Sequence, residues 1–131
     1  MRRQIVIGYF MLLSMFGCNQ LSTQKEFEVV SVEQAKHLLQ KPKKIQLLDV
    51  RTPEEYAEGH LEGALNINYF SETFKDEAFK LDKNKKVLVY CKSGKRSSKS
   101  AIILKALGFS KIYSIEGGIT AWKDARFECV K

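Results

Sequence analysis

The residues best suited to covalent chemistry lie in one short segment, Cys91-Lys92-Ser93-Gly94-Lys95-Arg96-Ser97. It follows an apolar run that predicts a buried strand and precedes a segment with a helical pattern. A cysteine at the end of a central strand points into the crevice beyond the strand ends. Gly94 allows the backbone to turn its N–H groups inward, and the helix adds its own free N–H groups. The segment therefore predicts an anion-binding loop with a nucleophile at its base.

The electrostatics of this loop favour ionisation of Cys91. Lys92, Lys95 and Arg96 supply positive charge, and the positive end of the helix dipole adds to it. An unperturbed thiol has a pKa of about 8.5, which a helix N-terminus and nearby cations lower. We expect a thiolate at neutral pH, beside a site for an anionic substrate.

Short β-type runs alternate with helical segments along the rest of the chain. The predicted strands are 27–30, 45–50, 64–68, 86–90 and 111–115, and the predicted helices are 31–40, 53–59, 72–79, 95–107 and 117–125. This alternation predicts an α/β fold with an open, mostly parallel five-stranded sheet and helices on both faces. Ligands of such sheets bind beyond the carboxyl ends of the strands, after Val50, Tyr90 and Ile115.

Three segments in order resemble the signatures of the rhodanese family. The loop Cys-x-x-Gly-x-Arg-Ser at 91–97 resembles that family's active-site loop. The upstream match comprises Asp49-Val50-Arg51, Glu55-Tyr56, Gly59-His60-Leu61, Gly63-Ala64 and Asn66-Ile67. Downstream, Gly117-Gly118 followed by Trp122 resembles the pattern G-G-x-x-x-W. The matches extend from about residue 29 to residue 123.

The resemblance implies sulfur transfer through a persulfide on Cys91. The thiolate would take the outer sulfur of a small anionic donor such as thiosulfate, and a thiol or cyanide would accept it. The resemblance implies no metal and no organic cofactor. The donor is expected to contact Lys92, Ser93, Gly94, Lys95 and Arg96, whose backbone N–H groups would hold the terminal sulfur.

Other matched residues are expected to support this loop. Asp49 and Arg51 would form buried polar contacts that hold the crevice together, and Ser97 would assist the loop. Arg96 would either bind the anion or brace the loop. Structural roles are expected for His60, Tyr56, Trp122, Gly117 and Gly118, the two glycines allowing a tight turn.

Three alternatives to this activity remain open. Phosphatases and arsenate reductases on the same fold resemble Cys-x5-Arg, whereas here four residues separate Cys91 from Arg96 and Ser97 takes the seventh position. A smaller loop fits a single sulfur better than a phosphate. The second alternative is a relay that holds a persulfide for one partner protein. The sequence does not separate it from an enzyme, because both need the same loop. The third alternative is a membrane-bound scaffold, which would function without Cys91.

The first eighteen residues have the pattern of an export signal. Arg2 and Arg3 precede an apolar run, Ile5–Phe16, which is too short for a lasting membrane span. Gly17-Cys18 then resembles a bacterial lipoprotein cleavage site, although Met15 and Phe16 depart from its usual pattern. We expect a signal peptide over 1–17, a lipid-carrying Cys18 with a polar tether over 18–26, and a folded domain over 27–131. The protein would then lie in the bacterial cell envelope, facing the periplasm or the exterior.

Composition limits the other partners. A disulfide between Cys91 and Cys129 would silence the nucleophile, so we predict no structural disulfide. The formal net charge is +7, but no basic stripe with interleaved aromatic residues is present, and we expect no nucleic-acid partner. A monomer is the expectation for a domain of this size.

Overall fold

The computed structural model describes residues 25–131. The predicted signal peptide and Cys18 lie outside these residues. Within them, no helix has both the length and the apolar character that crossing a membrane requires.

The described chain alternates strands and helices as the sequence predicts. The strands are β1 (Glu28–Val30), β2 (Ile45–Asp49), β3 (Leu65–Asn66), β4 (Lys86–Tyr90) and β5 (Ile112–Ile115). The helices are α1 (Val32–Leu38), α2 (Pro53–Glu58), α3 (Phe74–Phe79), α4 (Lys95–Ala106) and α5 (Gly118–Asp124), and a short 3-10 turn at Pro42–Lys44 leads into β2. Most bounds agree with the predicted ones to within two residues.

The five strands form one sheet in the order β1-β5-β4-β2-β3, and all four neighbouring pairs are parallel. The predicted open α/β sheet is therefore confirmed. β4 lies at its centre, with β5 on one side and β2 on the other. The loop that follows β4 consequently opens in the middle of the edge formed by the carboxyl ends of the strands.

The sheet is covered on both faces, and alternation along β4 decides which face receives Cys91. Leu88 and Tyr90 point into the core that α1 and α5 cover, together with Ala35 and Trp122. Val87, Val89 and Cys91 point into the other core, with Phe74 of α3 and with Ala101 and Leu104 of α4. Because successive side chains of a strand point to opposite faces, Cys91 must face α4.

Short helices at the edges of the sheet begin with polar caps. The Ser31 side chain accepts the Gln34 N–H at 3.1 Å, and the Gln34 side chain accepts the Ser31 N–H at 2.9 Å. Thr52 and Glu55 form the same reciprocal pair at the start of α2. These capping boxes satisfy N–H groups that a helix of six or seven residues leaves without partners.

A buried ion pair holds the end of β2. The Arg51 guanidinium donates to both carboxylate oxygens of Asp49, at 2.7 to 3.1 Å, and to the carbonyl of Gly59 at 2.7 Å. The Asn66 amide donates to the backbone carbonyls of Asp49 and Arg51. Burial disfavours the charge of Arg51, but its bonds to Asp49 raise the Arg51 pKa overall. Arg51 therefore joins the end of β2 to the residue that follows α2, and Asn66 joins β3 to the same segment.

Replacement of Arg51 tests this structural role. In Arg51→Ala, the buried Asp49 carboxylate group would lose the side chain that donates to both of its oxygens. We expect the free energy of unfolding to fall by about 3–5 kcal/mol, the usual cost of breaking a buried pair. Urea denaturation at neutral pH measures this. Lys75→Ala, at an exposed position, is the control, with an expected change of about 0.5 kcal/mol or less. Equal stability of the two variants would contradict the role.

Candidate active site

Cys91 lies at the base of a tight loop between β4 and α4. Its side chain is only 1% exposed, and its sulfur accepts a hydrogen bond from the Gly94 N–H at 3.1 Å. Gly94 has φ 107°, in the left-handed region that favours glycine, and precedes the first turn of α4. This conformation turns the loop backbone toward the sulfur. The predicted arrangement of strand, loop and helix is therefore present.

Two serines continue the hydrogen bonding behind the sulfur. The Ser97 hydroxyl lies 3.6 Å from the Cys91 sulfur and donates to the Gly94 carbonyl at 3.1 Å. The Ser114 hydroxyl, on β5, donates to the Ser97 oxygen at 2.9 Å. When Cys91 loses its proton, the single proton of Ser97 can turn from the Gly94 carbonyl to the sulfur. Ser114 stabilises that arrangement because its donation polarises the Ser97 hydroxyl.

The surroundings of Cys91 favour its ionised form. Burial by itself raises the pKa of this thiol, because a low-dielectric interior disfavours charge. The Ser97 hydroxyl and the backbone N–H groups of Ser97, Gly94 and Ser93 more than offset burial, and the Cys91 pKa is lowered overall. The thiolate is thus held mainly by hydrogen bonds. Lys92 and Lys95 are exposed to solvent at the outer side of the loop, here called the rim.

The start of α5 closes the loop from the side. The Ile119 N–H donates to the Cys91 carbonyl at 2.9 Å, and the Thr120 N–H donates to the Lys92 carbonyl at 3.1 Å. A Cβ atom at Gly118 would lie 2.3 Å from the Cys91 carbonyl oxygen, so no other residue fits there. Gly118 is therefore required for close approach to the loop as well as for the expected turn.

Arg96 braces the loop from the opposite side. Its guanidinium binds both carboxylate oxygens of Glu55, at 2.7 and 2.9 Å, and lies 5.5 Å from the centre of the exposed Phe70 ring. The Arg96 side chain lowers the pKa of Glu55 to about 2, and the Thr52 backbone N–H adds to this effect. Of the two roles expected for Arg96, this geometry favours bracing over direct contact with the anion.

The remaining residues singled out in the sequence pack against, or form hydrogen bonds with, other parts of the protein. The His60 ring stacks on Tyr56 with centroids 3.7 Å apart, and its Nδ1 lies 3.0 Å from the Tyr56 carbonyl oxygen. Trp122 is buried, and its indole N–H donates to the Glu128 carbonyl at 2.9 Å. Cys129 is a free, half-buried thiol, as Cys91 is a free, buried one. Residues 25–131 contain no cluster of His, Cys, Asp and Glu side chains suited to a metal ion.

Ser114 and Glu55 both contact residues of the loop, although the sequence alone predicts no role for either. One feature of the sequence pointed to Ser114, which is a hydroxyl residue inside the mostly apolar run 112–115. The structure shows that Ser114 is buried. Glu55 lies within the upstream match, but its pairing with Arg96 joins positions 41 residues apart. Only the fold brings those positions together.

A serine substitution on β5 tests the hydrogen-bond chain. In Ser114→Ala, Ser97 loses its donor, so we expect the Cys91 pKa to rise, but less than in Ser97→Ala. The measurement is the pH dependence of Cys91 alkylation, with the modified residue identified by mass spectrometry. Ser100→Ala is the matched control, because the Ser100 hydroxyl is buried and has no hydrogen-bond partner within residues 25–131. Equal titration curves for Ser114→Ala and Ser100→Ala would exclude the chain.

The Glu55–Arg96 pair predicts a pH-dependent contribution to stability. Because the folded-state pKa of Glu55 is about 2 and its ordinary value is 4.5, the contribution is complete above about pH 5. It is lost as the pH falls from 4.5 through 2. We expect Glu55→Gln to lower the free energy of unfolding by roughly 1–2 kcal/mol at pH 7 and by much less near pH 2.5. Urea denaturation at both pH values checks this, with the exposed Glu62→Gln as control. A pH-independent difference would contradict the prediction.

Comparison with known proteins agrees with this geometry. The family model described as rhodanese-like domain matches residues 31–125. Thiosulfate sulfurtransferase 18 of Arabidopsis thaliana is 41% identical over 120 residues, which cover 81% of this chain and 87% of that protein. Protein HIGH ARSENIC CONTENT 1, mitochondrial, of the same plant is 34% identical over 115 residues, covering 80% of this chain and 67% of that protein.

A solved structure has the same architecture. The rhodanese-related protein of Thermoplasma volcanium aligns with a TM-score of 0.68 and 28% identity, covering 79% of this chain and 98% of that one. The family model spans more than half of the chain and includes the loop at Cys91, so the resemblance predicted from the signatures is confirmed. The chain therefore belongs to the rhodanese-like domain family, within which it has thiosulfate sulfurtransferase relatives.

Proposed function

We propose that this protein is a sulfurtransferase of the thiosulfate sulfurtransferase type, carrying sulfane sulfur as a persulfide on Cys91. The observation that carries the proposal is the buried Cys91 sulfur, which accepts the Gly94 N–H at 3.1 Å and faces the N–H groups of Ser93 and Ser97. Such a pocket stabilises a sulfur anion by directed hydrogen bonds. The same groups suit both the resting thiolate and the outer sulfur of a persulfide.

The reaction consists of two displacements at sulfur. The Cys91 thiolate attacks the outer sulfur of thiosulfate, an S–S bond to the enzyme forms, and sulfite leaves with the electron pair of the broken S–S bond. A thiolate or cyanide then attacks the outer sulfur of the persulfide, and Cys91 leaves as the thiolate. Charge is conserved in each step, and neither step needs a metal or a redox cofactor.

The donor is expected to be a small anion. Lys92 and Lys95 are exposed on the rim, where they attract a dianion without burying it. Since α4 begins at Lys95, its first N–H groups are directed at the same place. The site therefore suits thiosulfate or a related anionic sulfur donor, held by Lys92, Ser93, Gly94 and Lys95.

A phosphatase or arsenate reductase is the alternative on this fold. The name of one relative, HIGH ARSENIC CONTENT 1, refers to arsenic, and it describes that protein alone. A Cys-x5-Arg site needs an arginine directed at the oxyanion. Arg96 lies one residue too early for that pattern, and both terminal nitrogens of its guanidinium donate to Glu55. The position after it is Ser97, which has no positive charge. These features favour sulfur transfer.

A lipid anchor on Cys18 is part of the proposal. The short apolar run before Gly17-Cys18 supports export and lipidation, and residues 19–26 would form a polar tether after the lipidated Cys18. The domain would then act in a bacterial cell envelope, facing the periplasm or the exterior. Membrane fractionation of cells producing the full chain, beside Cys18→Ala, tests this. A wild-type chain found in the soluble fraction would contradict it.

Thiocyanate formation from thiosulfate and cyanide tests the activity. We expect residues 19–131 to turn over repeatedly, Cys91→Ser to fall to the uncatalysed background, and the matched control Cys129→Ser to keep wild-type turnover. The reason is that only Cys91 lies within the hydrogen-bonded loop.

The other outcomes separate the alternatives. A mass gain of one sulfur atom that Cys91→Ser lacks, without turnover, would support a persulfide relay for a partner protein. If the protein shows no turnover and no mass gain, sulfur transfer through Cys91 is overturned. Release of phosphate from an ester, or reduction of arsenate with a thiol, would then support the oxyanion alternative.

A further inference from the structure

Positive charge is concentrated at the edge of the sheet opposite Cys91. Because all the strands are parallel, the segments that lead into them meet at one edge. The stretches 41–44, 82–85 and 111, which lead directly into β2, β4 and β5, carry seven lysines together with the first residue of β4, and this group is here called the basic edge. They are Lys41, Lys43, Lys44, Lys83, Lys85, Lys86 and Lys111.

The packing brings these lysines close together. Lys41, Lys44 and Lys86 line one hollow with His37 at the end of α1, and no carboxylate lines it. The acidic side chain within these leading segments is Asp82, which accepts the Asn84 N–H at 2.9 Å. Glu26 and Glu28 carry negative charge beside β1, at the outer strand of the sheet. The centre of the basic edge therefore has a large excess of positive charge.

The catalytic loop lies at the other end of the sheet. β2 and β4 each contain five residues, which separate the two edges by roughly 17 Å. That distance exceeds the Debye length of about 8 Å at physiological ionic strength. The charge of the basic edge thus acts little on Cys91, and sulfur transfer does not account for it.

The chain enters the domain at the same edge. Lys25 and Lys111 line a hollow at the starts of β1 and β5, together with Glu26 and Glu28. Six residues, 19–24, separate Lys25 from Cys18, and their greatest reach is about 3.5 Å each, or roughly 20 Å. An anchor at Cys18 would therefore keep the basic edge close to the membrane surface.

We propose that the basic edge rests on an anionic phospholipid surface and that the loop at Cys91 faces away from it. The inference rests on the proposed anchor at Cys18, and it adds an orientation that the anchor alone does not set. Charge complementarity and the entry point of the chain both favour this surface. Donors and acceptors then reach Cys91 from the solvent.

Lysine labelling of the anchored full chain tests the orientation. The membrane form is extracted and reconstituted either into neutral phosphatidylcholine vesicles or into vesicles that also contain phosphatidylglycerol. A membrane-impermeant amine reagent is added, and mass spectrometry quantifies each lysine. We expect anionic vesicles to reduce labelling of Lys41, Lys43, Lys44 and Lys85 several-fold, and Lys92 and Lys95 to keep their reactivity. In 1 M salt, where the Debye length is about 3 Å, the protection should disappear.

Charge reversal provides the matched comparison. Lys41→Glu with Lys44→Glu alters two exposed lysines of the basic edge, whereas Lys75→Glu with Lys131→Glu changes the net charge equally elsewhere. We expect the first pair to abolish protection of Lys85 and the second pair to preserve it. Thiocyanate formation by both variants should match the wild type, which confirms that they fold.

The remaining outcomes overturn the proposal in distinguishable ways. A chain recovered in the soluble fraction overturns the anchor and the orientation with it, while Cys91 chemistry stands. An anchored chain whose basic-edge lysines label equally in both vesicle types overturns the orientation alone. Protection of these lysines by added RNA, but not by anionic vesicles, would assign the basic edge to nucleic acid instead.

Discussion

The sheet edge that holds Cys91 depends on the stabilisation of one buried sulfur anion by hydrogen bonds. Burial disfavours the charged form of Cys91, and the Ser97 hydroxyl with nearby backbone N–H groups reverses that preference. Directed donors are effective here because they lie in a low-dielectric interior. Gly94 makes the loop geometry possible through its left-handed conformation. The surrounding elements all contribute to keeping these donors in place.

Three contacts hold the loop from different sides. Ser114 supports Ser97 from β5, the start of α5 binds the loop carbonyls, and Glu55 holds Arg96. The Asp49–Arg51 pair supports the loop indirectly, because it fixes the end of β2, the strand beside β4. The contacts made by Ser114 and Glu55 join positions 17 and 41 residues apart along the chain. The geometry at Cys91 is therefore a property of the whole sheet edge.

The parallel sheet also separates two electrostatic environments. The carboxyl ends of the strands hold the hydrogen-bonded sulfur, and the segments leading into the strands carry the lysines of the basic edge. A strand length exceeds the screening distance in physiological salt, so each end can serve its own ligand. We propose that one end binds a small sulfur-bearing anion and that the other lies against an extended negatively charged surface.

Much of the fold and the centre of the site follow from local sequence. Apolar runs, capping residues and glycines predict the strands and helices, and Cys91, Gly94 and the start of α4 predict an anion-binding loop. These features depend on neighbours in the chain, so periodicity and spacing reveal them. The predicted anchor at Cys18 belongs to the same class and remains a prediction.

Tertiary structure alone decided which way the supporting side chains point. Sequence left open whether Arg96 binds the anion or braces the loop, and the bonds from its two terminal nitrogens to Glu55 of α2 favour bracing. Ser114 acts on Cys91 only because β5 lies beside β4, and Gly118 must lack a side chain only because α5 passes over the Cys91 carbonyl. Such contacts depend on packing between segments far apart in the chain, and local patterns carry no information about that packing.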